Sequence, residues 1–83
     1  MAEAAPAAIA SQLEVEQRLM LFCVASGTDW TRAGISGAVA RNMIVRGLLG
    51  HERKTNQLVL TARGRAVLAV LLSHAGIKFA PLH

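Results

Sequence analysis

The sequence predicts a mainly α-helical domain with a small β-hairpin, in the order α-α-α-β-β-α and with a short second helix. Three observations lead there. Residues 11–26 and 62–74 are largely apolar helical runs, each preceded by or opening on a residue able to cap a helix. Residues 36–46 place Val39, Ala40, Met43 and Ile44 on one helical face and stop at Gly47. Leu58 and Leu60 sit two apart, as on one face of a strand, just after a polar turn. With 83 residues the chain makes one domain, and such a domain buries only about 60% of the surface its unfolded form exposes.

In chain order, residues 1–10 are Ala-rich with Pro6 and read as a flexible arm with no core to join. Ser11 and Glu14 have the spacing of a capping box, which starts the first helix at residue 11. Leu13, Val15, Leu19, Met20, Phe22, Cys23 and Val24 supply its apolar side, and Gly27 suits the left-handed position that ends it. Residues 28–35 leave two readings open. Either Thr28 or Asp29 caps a short helix carrying Trp30, or residues 30–46 form one irregular helix that tolerates Gly34 and Gly37. Ser36 is placed to cap the helix that follows.

Residues 48–52 and 57–60 pair as a hairpin around Arg53, Lys54, Thr55 and Asn56, where Asn56 tolerates a left-handed turn. Thr61 can accept a bond from the first free amides of the last helix. Gly64 in that first turn costs a helix about 1 kcal/mol against Ala, so it suits a place where another backbone comes close. Val67, Leu68, Val70, Leu71 and Leu72 surround the last helix, so it needs cover on more than one face. A second copy of the chain and the tail at residues 76–83, with Ile77, Phe79 and Leu82, are the candidate covers.

The run Leu58-Val-Leu-Thr-Ala-Arg-Gly-Arg-Ala-Val-Leu68, preceded by Val45-Arg-Gly-Leu-Leu49, resembles the end of a winged helix-turn-helix domain of the MarR type. There a recognition helix ends in Gly, a two-stranded wing follows, and an LT-x-x-G-R element opens the next helix. The resemblance covers about half of the chain and is moderately specific, marking the wing rather than DNA binding itself. It implies a compact winged-helix domain over residues 11–75, a transcriptional regulator that binds double-stranded DNA through recognition helix 36–46 and wing 48–60; the apolar first and last helices point to a homodimer formed through them. It also implies a structural role for Arg65 near the wing base. The second helix is shorter here than in typical members.

Charge is distributed unevenly. Residues 1–29 carry Glu3, Glu14, Glu16 and Asp29 against Arg18, a net of −3, whereas residues 30–65 carry seven cations against Glu52, a net of +6. Six of the seven are arginines, whose forked guanidinium suits phosphate. In the candidate recognition helix, Ser36 and Gly37 are small enough for a close approach to a major groove. Arg41 and Asn42 match guanine and adenine edges. Arg53 and Lys54 at the wing tip, with Arg63 and Arg32, are the candidate phosphate contacts.

Other classes are disfavoured. No catalytic constellation or phosphate-cradling glycine loop is present, and His51, His74 and His83 lack metal-ligand spacing to one another or to Cys23, so neither enzyme activity nor a metal or other cofactor is expected. Cys23 reads as a small core residue. No apolar run approaches the roughly 20 residues needed to span a bilayer. The single cysteine and the acidic N-terminal segment point to the cytoplasm, with no membrane partner. The competing function is a winged-helix module that docks on protein rather than DNA, because fold does not fix function.

Overall fold

The computed structural model describes residues 5–74. They form four helices and one antiparallel hairpin: α1 Pro6–Gln12, α2 Val15–Ser26, α3 Gly37–Val45, β1 Leu49–His51, β2 Leu58–Leu60 and α4 Ala62–His74. The mainly helical layout with a two-stranded hairpin is therefore as expected. One helix, however, is not where the sequence reading placed it: the short second helix expected within residues 28–35 is absent, and a helix forms before residue 13 instead.

That helix is α1. The reading of residues 1–10 as a flexible arm fails from Pro6 onward. Pro6 occupies the first helical turn, where its missing amide hydrogen costs nothing and its fixed φ suits the helix. Seven residues are too few to hold a helix in water by propensity. Burial holds this one: Ile9 and Ala10 enter the core, and α1 packs on α4. The cover that α4 requires is thus partly supplied from within the chain. The candidate cover from residues 76–83 lies outside the described residues.

The capping box is also displaced by one helical turn. Ser11 donates its hydroxyl to the Ala8 carbonyl at 2.8 Å inside α1, and Leu13 runs extended between the two helices. Glu14 is the N-cap of α2; its carboxylate accepts the Gln17 amide, and Gln17 Oε1 accepts the Glu14 amide at 2.8 Å. Glutamine serves the reciprocal position as well as glutamate does. Gly27 ends α2 in the left-handed conformation, φ 73°.

Neither reading of residues 28–35 holds, because no helix forms there. Asp29 Oδ1 accepts the Thr31 amide at 3.0 Å and also its hydroxyl. This capture diverts the backbone into successive turns, closed by Arg32 N–H to Asp29 O and Gly34 N–H to Thr31 O, both 3.2 Å. Gly34 at φ 81° then reverses the chain into Ile35, which is buried. Ser36 is the N-cap residue of α3, but its side chain makes no capping bond.

Gly47, φ 78°, turns the chain from α3 into the hairpin. Leu49 pairs with Leu60, Gly50 with Val59 and His51 with Leu58. Thr61 then joins three elements. Its hydroxyl donates to Gly47 O at 2.6 Å and accepts the Gly64 amide at 3.0 Å, while its own amide donates to Leu48 O at 3.2 Å. Gly64 is buried against this junction: a Cβ there would overlap the Leu48 carbonyl oxygen. Met20, Leu21, Met43, Leu48, Leu49, Val67 and Leu68 form the fully buried centre. No charged or polar residue is buried among those described.

Candidate nucleic-acid interface

The basic half of the sequence maps onto the turns after α2, onto α3, the hairpin and the start of α4. α3 buries Ala40 and Met43 and turns its other side to solvent. Ser36, Gly37, Arg41 and Asn42 are all exposed on that side. A Cβ added to Gly37 would meet nothing within 4 Å, so the start of α3 is sterically open. The Arg41 side chain has no partner among the described residues.

Asn42 differs. Its Oδ1 accepts a hydrogen bond from Gln17 Nε2 at 2.8 Å. Because Gln17 also accepts the Glu14 amide, the two amides tie α3 to the N-terminus of α2. The acceptor half of Asn42 is thereby used, and a bidentate contact with adenine needs both donor and acceptor. Asn42 is first a clamp between helices. The sequence carried a signal for Gln17, since it stands three residues after Glu14, but none for its pairing with a residue 25 positions away.

The hairpin tip is shaped by Glu52. Its Oε2 accepts the Lys54 and Thr55 amides, each at 3.0 Å, and the Thr55 hydroxyl at 3.2 Å. The Thr55 amide, followed by its hydroxyl and the Lys54 amide, holds this carboxyl below its usual range. Asn56 takes the left-handed conformation expected of it, φ 57°, and its amide returns to Glu52 O at 2.8 Å. Arg53 and Lys54 thus project from a turn with its own internal bonding, and their side chains have no partners among the described residues.

Arg63 is half-buried, and Nη1 donates to the Arg46 carbonyl at 3.3 Å. A cation at the start of α4 opposes that helix dipole, but it meets the free carbonyls at the end of α3, where positive charge is favourable. Arg65 is exposed, with only a long 3.5 Å contact to Leu60 O. The structural role expected of Arg65 is therefore carried more clearly by Arg63. Arg32 is exposed within the turns after α2.

α3 and the hairpin stand on either side of a groove of about 630 Å³. Arg41 and Ile44 of α3, His51, Gln57 and Leu58 of the hairpin, and Trp30 and Asp29 from the turns after α2 are among the residues that line it. Trp30, His51 and Gln57 were not among the candidates from sequence, because only the chain reversal after Gly34 and the hairpin register bring them beside Arg41. The described residues contain no group of three metal-ligating side chains, and no described helix is long and apolar enough to cross a membrane. No protein-family model, curated protein or solved structure matches this chain.

Proposed function

We propose that the chain is a small winged-helix protein that binds double-stranded DNA and regulates transcription, with α3 as the recognition helix and the hairpin as the wing. One observation carries this reading. Arg41 on α3 and Arg53 and Lys54 at the hairpin tip are exposed and lack partners among the described residues, within a segment of net charge +6. The order α3, Gly47, hairpin, Thr61 cap and α4 is that of the motif the sequence resembles. The proposed protein acts by binding alone.

The proposal includes a homodimer. Val15 and Leu19, one helical turn apart on α2, are 60% and 44% exposed and offer an apolar strip to a second copy. α4 contributes less to that interface than its sequence suggests, because α1 already packs on it. Two-fold symmetry would place one α3 in each of two half-sites about one helical turn apart.

The test is fluorescence anisotropy with a labelled random-sequence duplex over a range of salt. With Arg32, Arg41, Arg53 and Lys54 meeting phosphates in each of two protomers, log affinity should fall against log salt with a slope of about −7. Arg41→Ala and Arg53→Ala should each weaken binding. Absence of binding at low salt would remove the reading. A second reading, a winged helix that docks on protein, draws support from Val45, which is 85% exposed on α3. It predicts no salt-sensitive DNA affinity and loss of a protein partner on Val45→Asp.

A further inference from the structure

Duplex binding uses the outer face of α3 and the hairpin tip, and leaves the groove between them unexplained. Its composition is unlike either. Its lining includes the apolar side chains of Val24, Ile44 and Leu58, and the indole of Trp30. Arg41, His51 and Gln57 also line it. None of these three side chains has a hydrogen-bond partner among the described residues. The volume of about 630 Å³ falls within the ~300–1,000 Å³ typical of small-molecule sites.

We infer that this groove takes a single unpaired nucleotide at the end of, or extruded from, a bound DNA strand. The inference rests on the DNA-binding reading and adds a specificity to it. Each part of a nucleotide meets a complementary group. A base offers a flat π-face, and an indole is a stacking partner for any base. Its polar edge presents donors and acceptors side by side, and the Gln57 amide supplies one of each. The attached phosphate is a dianion or diester, for which the Arg41 guanidinium is the matching fork. Arg53 and Lys54 continue positive charge along the hairpin, beside Glu52, whose carboxylate is turned to the Lys54 and Thr55 amides. One carboxylate, Asp29, lines the groove, and its Oδ1 accepts the Thr31 amide and hydroxyl. A paired base cannot enter, because its edge is occupied and its faces are covered in the stack.

The chain has one Trp and no Tyr, so its intrinsic emission reports on Trp30 alone. The experiment titrates the intact protein with a blunt duplex, with the same duplex bearing a four-nucleotide single-stranded overhang, and with a free mononucleotide. Trp emission and anisotropy are read in each case. The overhang should bind about tenfold more tightly than the blunt duplex and quench Trp30, while the blunt duplex leaves emission unchanged. Gln57→Ala should shrink the overhang-to-blunt affinity ratio to below threefold; Trp30→Phe, read by anisotropy, should retain part of it, since a phenyl ring still stacks.

Equal affinity for blunt and overhanging duplexes, with unchanged emission, would overturn the inference while leaving duplex binding intact. Quenching by the mononucleotide without any preference for the overhang would overturn it in favour of a free-nucleotide site. An overhang preference that survives Gln57→Ala at full size would place the preference elsewhere. Failure of every DNA to bind would overturn both the inference and the reading beneath it.

Discussion

Gly64→Ala adds one methyl group at the junction of hairpin and last helix, and its cost can be worked from the structure. An ideal Cβ on Gly64 overlaps the Leu48 carbonyl oxygen and lies 3.1 Å from the Leu48 carbonyl carbon. The obstacle is backbone, which cannot swing aside as a long side chain would. Overpacking of this kind costs about 3 kcal/mol, the upper end of the usual range. Moving Leu48 away also weakens the Thr61 N–H to Leu48 O bond, now 3.2 Å, for about 1 kcal/mol more. Against this, Ala is a better helix former than Gly by about 1 kcal/mol. The net loss is about 3 kcal/mol. A domain of this size has a total stability of about 4–12 kcal/mol, so a melting temperature lower by about 12–24 °C is expected. The assay is thermal and urea unfolding followed by far-ultraviolet circular dichroism. Gly37→Ala is the control, since nothing lies within 4 Å of its Cβ position; it should be neutral or slightly stabilising. A Gly64→Ala protein as stable as wild type would refute the close approach of α4 to Leu48.

Three further outcomes follow from the same geometry. Ile9→Ala should destabilise by about 2–3 kcal/mol in urea unfolding, because Ile9 is only 8% exposed; a loose arm would show no change. Thr61→Val should cost about 1–2 kcal/mol through loss of the cap on Gly64 and the donor to Gly47 O, and its denaturation midpoint should shift accordingly. Glu52 has a carboxyl held below its usual value of 4.5 by the Thr55 amide first. The tip bonding it provides is therefore complete above pH 4.5 and is lost as pH falls through the lower folded value. Amide chemical shifts of Lys54 and Thr55 should titrate together with a midpoint below 4.5, and Glu52→Gln should abolish that titration.

The elements that could be read in the sequence are those specified by neighbours in the chain. Gly27 and Asn56 adopt the left-handed conformations expected of them, and Thr61 caps the helix it precedes. Leu58 and Leu60 share the less exposed face of β2, as their spacing implied. The errors arise where two local signals compete. Ser11–Glu14 and Glu14–Gln17 both have capping-box spacing. The second prevails because burial of Ile9, Ala10 and Leu13 requires a break at residues 13–14. Asp29 and Gly34 likewise turn residues 28–34 away from a helix, through side-chain capture of the backbone and a left-handed residue.

The candidate interface divides in the same way. Sequence alone determined its cations, their concentration in residues 30–65 and the small residues that open α3, because charge and side-chain size belong to each residue wherever it lies. Tertiary structure decided which of them remain available. Asn42 is held by Gln17 from α2, and Arg63 by the carbonyl at the end of α3. Arg41 is left without a partner beside Trp30, His51 and Gln57. Those pairings join residues distant in the chain. They form because burial of the apolar faces sets where each helix lies, and the polar groups at the margins bond to whatever that packing brings within reach.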